Sequence, residues 1–566
     1  MEQPRTEIFS LRLSKEKTPW AILLIILALY LSLRIVSWAN TSLLESRDSM
    51  SMIRDAKVFL SFNLSRVIDL PPDTTPLYPF FAAMFSLFGW SVENGARMCS
   101  LVFSAATFLS MAMIGRRMTS FLGVVLALLL LSLNPVMISL AKSVLTEPIY
   151  IGVVHLGWWL FYLQHENLTW KTGLLLGGVF ASAFLARTEG LIYLAAIPAL
   201  QFGLAIFFQK PKCNLRTLLS WTLAFVVGFG ALSVPQIWRV SHKMGMLAIN
   251  GRQVWEVILN NPDGKSYDQK IYGLDYSPQQ INLEYIQSHP EAVESMTSSF
   301  SVRELLRKAM KNVKIFFLGK LIVLIGPLGM VFAALGLFSL WRDRRHHEIL
   351  LIAGFFGASL LGPFLHDVDI RHIAIVTPFL ALLQGIGIAR LCARVAEASA
   401  LRRYARFIMQ GMPYLLFAVV LLGFVRPLRA ALQPPRLNKE YALDDFTAPL
   451  HLVQRAQQET PLAPLKIAAR TGYFAYVANA ESAFVPYTDY AGVVSYFRFQ
   501  NVDFFFLEYD ELIGFPFLKN FEDGNTPDFK LLYEGNSKTH GVLRLYRFAA
   551  LPVGIESVSN SGEAIK

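Results

Sequence analysis

Residues 95–140 read GARMCSLVFSAATFLSMAMIGRRMTSFLGVVLALLLLSLNPVMISL. Two apolar runs, 95–115 and 119–140, flank the doublet Arg116-Arg117, and each has the roughly 20 residues that a helix needs to cross a bilayer. Lys and Arg are retained on the cytoplasmic face of a membrane, so the stretch reads as two spanning helices that turn inside. Working outward, similar runs occupy 20–38, 145–163, 171–187, 190–208, 216–238, 313–340, 349–365, 372–391 and 407–425, which predicts eleven spans. With the basic N-terminus inside, the clusters at Lys171, Lys210-Lys212, Arg342-Arg344-Arg345 and Arg390 to Arg406 also fall inside, as the positive-inside rule requires.

Composition agrees. The 566-residue chain is 54% hydrophobic and only 16% charged, with a mean hydropathy of +0.42, against roughly a quarter charged in soluble domains. That excludes a water-soluble globular protein. The net charge of +11 lies in short clusters between apolar runs, not in stripes interleaved with exposed aromatics, so nucleic acid is no partner. Cys99, Cys213 and Cys392 stand far apart, which argues against a disulfide framework and a thiolate zinc site. The run from Trp20 to Trp38 ends in no small-residue cleavage site and predicts a first span that is retained. No P-loop or dinucleotide fingerprint supports an ATP-driven pump.

The predicted organisation is an α-helical polytopic membrane domain, 1–426, with outer loops 39–94 and 239–312, followed by an α/β domain, 427–566, outside the cytoplasm. Pro76 to Trp90, apolar but about 15 residues long, is too short to span and is expected to lie on the outer face. After a Pro-rich linker (Pro427, Pro434, Pro435), the segments 466–470, 482–487, 502–509, 529–534 and 542–548 read as buried strands. The protein is expected to be a multi-pass component of a bacterial plasma membrane.

Ionisable residues mark the outer ends of the spans. Asp48 and Asp55 sit seven positions apart in SRDSMSMIRDAKVFL, an amphipathic surface helix. Glu147 opens the fourth span, Arg187 and Glu189 fall where the fifth gives way to the sixth, and Asp367, Asp369, Arg371 and His372 fill the short connection HDVDIRH. Taken singly, Asp55, Asp367 and Asp369 read more readily as solvated caps or topology marks, and Glu147 as readily as a helix-start carboxylate. Together they emerge on one side of a topology fixed only by the basic clusters, and ionisable groups at membrane depth usually serve a site. With Arg187, Arg371, Lys142 and Lys320 they make a candidate cavity for a phosphate and a sugar together, since Arg offers a bidentate fork to phosphate oxygens. His155 and His165 lack a third ligand at metal spacing.

The acidic first outer loop is followed by TPLYPFFAAMFSLFGW (75–90), ARMCSLVFSAATFLSMAMIGRRM (96–118), LTEPIY (145–150), ARTEGLIYL (186–194) and RHIAIVTPFLALLQGIGIAR (371–390). This order resembles the GT-C superfamily of polytopic glycosyltransferases, which includes protein O-mannosyltransferases and the aminoarabinose transferases of lipid A. The resemblance covers about the first 390 residues. It implies an inverting transfer of a hexosyl or pentosyl group from a polyprenyl-phosphate carrier to a glycan, lipid or protein acceptor of the cell envelope. It further implies that Asp48 is the catalytic base, that Glu147 and Glu189 hold sugar hydroxyls or a divalent metal, and that Arg371 meets the phosphate. Asp55, Arg187 and Lys142, which the topology places at the same span ends, are expected to bind substrate beside them. The alternative is a transporter or flippase of a lipid-linked or amphipathic solute, which calls for repeated halves and broken segments near the midplane. The sequence shows neither clearly.

Overall fold

The computed structural model describes residues 17–39, 47–71, 74–209, 214–244, 247–249, 302–365, 368–397, 405–432, 443–459, 465–470, 473–483, 485–509, 512–537 and 541–548. The membrane domain begins with α1 (Lys17–Ala39), the amphipathic α2 (Arg47–Leu60), α3 (Leu64–Ile68) and α4 (Leu77–Ser86). It continues through α5 (Val92–Met118), α6 (Phe121–Ser132), α7 (Pro135–Lys142), α8 (Glu147–Gln164), α9 (Trp170–Ala186), α10 (Ile192–Phe208) and α11 (Leu215–Met244). Further along the chain come α12 (Val302–Ile315), α13 (Leu321–Ile325), α14 (Pro327–Arg342), α15 (His346–Leu365), α16 (Ile370–Ile373), α17 (Thr377–Glu397), α18 (Ala405–Leu422) and α19 (Val425–Leu432).

Over the described residues each of the eleven apolar runs is helical, but they are not eleven straight spans. Among the described residues, six helices are long and apolar enough to cross a membrane by length and composition, and up to nine if each sharply bent pair counts as one. The run 145–163 forms the 18-residue α8 and the run 171–187 the 17-residue α9. Pro76 to Trp90 contains the ten-residue α4, in keeping with a segment too short to span. In the segment Ile370–Glu397, 94% of the most apolar 18-residue window is buried and forms the centre of the bundle, whereas only 28% of the corresponding window of the first apolar helix is buried.

The breaks correct the sequence reading, which finds no clearly interrupted segment. α6 and α7 meet at 56°, the helices on either side of Gly326 at 101°, and α18 and α19 at 67°. The run 313–340 is therefore two helices. Gly326 takes φ +72°, a conformation that costs glycine little, and Pro327 has no N–H with which to continue the preceding helix. A break at membrane depth strands backbone groups that no water can satisfy. Here side chains meet them. Asn134 accepts a hydrogen bond from Met137 N (3.1 Å), capping α7, while its Nδ2 donates to Leu324 O (2.8 Å), beside the Gly326 break. Arg34 of α1, buried with its guanidinium 3.2 Å over the Tyr30 ring, donates from Nη1 to Ser132 O (3.3 Å), the last carbonyl of α6.

The extramembrane domain comprises α20 (Leu443–Glu459), β1 (Lys466–Ala469), α21 (Tyr473–Val477), β2 (Glu481–Ala483), α22 (Tyr490–Gln500), β3 (Phe504–Glu508), α23 (Leu518–Glu522), β4 (Phe529–Ser537) and β5 (Gly541–Phe548). The expected five strands form one sheet in the order β2-β1-β3-β5-β4. β1 is parallel to β2 and β3, and β5 runs antiparallel to β3 and β4. Alternation along β3 divides the core: Phe505 packs with Phe497, Phe521 and Phe529, whereas Phe506 stacks on Phe474 of α21 (3.9 Å between centroids) and meets Phe446 of α20.

The Asn134→Ala variant removes both the α7 cap and the partner of Leu324 O. A buried carbonyl left unpaired costs about 1–3 kcal/mol, and the expected outcome is a lower thermal unfolding midpoint in detergent. Wild-type stability would show that neither break depends on this side chain.

Candidate functional site

Five separate parts of the chain converge on one cavity of about 120 Å³, lined by Ser51, Met52, Arg54 and Asp55 of α2, by Thr74 and Thr75, by 145–147, by 186–189, and by Arg371 and His372. Its walls carry three guanidinium groups and three carboxylates. Asp55, Glu147, Arg187, Glu189 and Arg371, far apart in sequence, are thus brought together.

The centre is built by the ARTEG turn. α9 ends at Arg187, whose extended backbone (φ −153°, ψ 138°) still donates its N–H to Ala183 O. A 3-10 turn, Thr188–Leu191, then leads into α10. The turn folds back so tightly that a Cβ on Gly190 would lie 2.3 Å from Phe184 N, a space only glycine fits. Arg187 and Glu189, two residues apart, consequently share the cavity with Glu147 at the start of α8. Arg187 Nη1 meets Glu147 Oε1 at 2.5 Å, and its Nη2 and Nε reach the two Glu189 oxygens at 2.8 and 3.4 Å. The Arg187 and Glu147 side chains are buried while Glu189 is 23% exposed. Glu147 Oε2 has no hydrogen-bond partner among the described residues.

The second wall is the HDVDIRH connection. Asp369 caps α16 by accepting from Arg371 N (3.2 Å). Arg371 Nε stands 3.5 Å from Asp369 Oδ2 and 3.9 Å from Glu147 Oε1, and His372 Nε2 lies 3.9 Å from the same Glu147 oxygen. Arg371 is the more open cation, its side chain 37% exposed against 10% for Arg187. Asp367 lies outside the described residues.

The third wall is α2. Asp55, 1% exposed, pairs with the largely exposed Arg54 at 3.0 Å and accepts from Thr74 Oγ1 at 2.8 Å. Thr74 is held in turn by α11: Gln236 Nε2 and Arg239 Nη2 both donate to its carbonyl at 3.1 Å, and Arg239 Nη1 donates to Leu70 O at 2.7 Å. Asp48 is in the first turn of α2, two turns before Asp55; its side chain lies outside what is described. Lys142, buried in the last turn of α7, and Lys320 are not among the described residues that line the cavity.

Thr74 and Arg239 are site residues that the sequence reading missed. Arg239, just past the apolar run 216–238, had a signal as an ionisable group at a span end, but Thr74 had none. Among the described residues, which leave out the Asp48 and Asp367 side chains, the acids do not fit a divalent metal. Arg187 occupies the space between Glu147 and Glu189, and no group of three or more His, Cys, Asp or Glu among the described residues could hold an ion.

No protein-family model and no curated protein sequence matches the chain. Solved structures do. ArnT from Cupriavidus metallidurans bound to undecaprenyl phosphate superposes with a TM-score of 0.59 at 14% identity, over 95% of this chain and 100% of that one. The archaeal oligosaccharyltransferase AglB from Archaeoglobus fulgidus, in complex with an inhibitory peptide and a dolichol-phosphate, gives 0.55 at 12% identity over 93% of this chain and 74% of that one.

Removing one partner of a buried ion pair costs about 3–5 kcal/mol because the other charge is left uncompensated. Arg187→Met is therefore expected to lower thermal stability sharply, and the triple variant Arg187→Met, Glu147→Gln, Glu189→Gln to recover most of the loss. Equal melting of the single variant and wild type would contradict the buried triad.

The long apolar helices, the small C-terminal sheet and these superpositions together show that the chain shares its fold with ArnT and AglB.

Proposed function

We propose that the protein transfers a sugar, with inversion, from a polyprenyl-phosphate carrier to a glycan, lipid or protein acceptor on the extracytoplasmic face of a bacterial plasma membrane. The observation that carries this reading is the single cavity in which the Asp55, Glu147 and Glu189 carboxylates and the Arg187 and Arg371 guanidiniums meet. The lipid-bound states of the two superposed proteins, one with undecaprenyl phosphate and one with dolichol-phosphate, support the donor class.

In the proposed reaction an acceptor hydroxyl oxygen attacks the anomeric carbon while the bond from that carbon to the carrier phosphate oxygen breaks on the opposite face. A carboxylate of α2 takes the hydroxyl proton, and the polyprenyl phosphate leaves with the bonding pair. Asp48 is assigned as the base, with Asp55 orienting the acceptor from the cavity wall. Arg371 meets the departing phosphate, its planar fork matching two oxygens. Glu189, the more open acid of the triad, accepts hydrogen bonds from sugar hydroxyls, while Arg187 and Glu147 hold it in place. The broken helices are the feature that favours the transport alternative. The ionisable residues nonetheless gather at a single cavity and do not extend along a path.

The test is sugar transfer in membranes containing wild type, Asp48→Asn or Asp55→Asn, supplied with radiolabelled polyprenyl-phosphate sugars and native cell-envelope acceptors. Loss of a general base lowers turnover by roughly 10²–10⁴-fold, which is expected for Asp48→Asn at equal abundance. A full loss in Asp55→Asn with Asp48→Asn active reassigns the base to Asp55. Transfer undiminished in both removes the catalytic role of α2, and no consumption of any donor overturns the transferase reading.

A further inference from the structure

The helix that carries Asp55 has two occupied faces. Ser51, Met52 and Asp55 line the cavity. Lys57 is two residues on, about 200° around a helix of 3.6 residues per turn, and therefore faces the other way. There its Nζ lies 4.9 Å over the ring of Tyr476 in α21 of the extramembrane domain. The contact is not isolated. Phe474 and Phe506 of that domain belong to the same connected apolar cluster as Ile53 and Ala56 of α2, so hydrophobic packing runs from the sheet into the membrane bundle.

At 14 residues, α2 is near the length below which a helix is marginal without tertiary packing. Its position is therefore set by what it touches: α4 and α5 in the bundle, Thr74 on the cavity side and the extramembrane domain beside Lys57. We propose that the extramembrane domain holds α2 in register with the cavity, with Lys57 and Tyr476 acting as positioning residues for the acid face of the helix. This rests on the transferase reading only for its effect on turnover, since the mechanical coupling itself is independent of the reaction.

The experiment uses the full-length protein in nanodiscs and two readouts, amide hydrogen exchange across α2 and sugar transfer. A cation–π contact at a partly exposed site is worth about a two- to fivefold change in an equilibrium. Lys57→Ala and Tyr476→Ala are each expected to speed α2 exchange by about that factor and to lower kcat while leaving donor KM unchanged, with the double variant no worse than either single one. Tyr476→Phe keeps the ring and should restore both readouts, which separates a lost contact from a misfolded domain. Wild-type exchange in both Ala variants, or a Phe variant as impaired as Ala, overturns the proposal. Faster exchange in a protein whose wild type transfers no sugar supports the coupling and sinks the transferase reading alone.

Discussion

Arg187 holds two carboxylates at the junction of three helices, and the geometry of the cavity follows from that one buried ion triad. A guanidinium in so little water is tolerable only when its fork is matched by opposite charge, and Glu147 and Glu189 supply the match from α8 and from the turn before α10. The triad pins the start of α8 to the end of α9. It also places the second wall, because Arg371 and His372 approach the same Glu147 oxygen. The result is a balanced set of charges in which Arg187 is consumed by structure, while the more exposed Arg371 and Glu189 face what enters.

The same economy governs the bundle. Lipid cannot satisfy a stranded carbonyl, so each described break that bears on the site carries its own partner: Asn134 for Leu324, Arg34 for Ser132. These breaks turn α7 away from the line of α6, and its last residue, Lys142, leads within three residues into the cavity wall at Leu145. Interrupted helices, taken alone, suit a transporter. Here they aim short helices at a common cavity while side chains meet the carbonyls at the breaks.

Much of this was legible in the chain. Basic doublets such as Arg116-Arg117 ordered the runs, the short apolar run in VDFFFLEY marked β3, and Glu147, Arg187, Glu189 and Arg371 stood out because charge is scarce in so apolar a sequence. Other parts left little trace. Thr74 is an unremarkable residue whose importance lies in a hydrogen bond to Asp55, 19 positions away. The bend at Gly326 sits inside a run whose hydropathy is uninterrupted, since glycine and proline alter backbone angles without altering apolarity.

The sequence by itself determined that the chain lives in a membrane, which segments become helices and strands, and that its ionisable residues fall at one set of span ends, because hydropathy and charge placement are local properties that the bilayer reads directly. Only the tertiary structure decided which acid meets which guanidinium, that Lys142 and Lys320 stand outside the cavity lining while Arg239 supports it through Thr74, and that α2 is shared between the cavity and the extramembrane domain. Those outcomes depend on helix crossing, on breaks and on contacts between residues as far apart as Lys57 and Tyr476, and packing between distant segments leaves no periodic signature in a single chain.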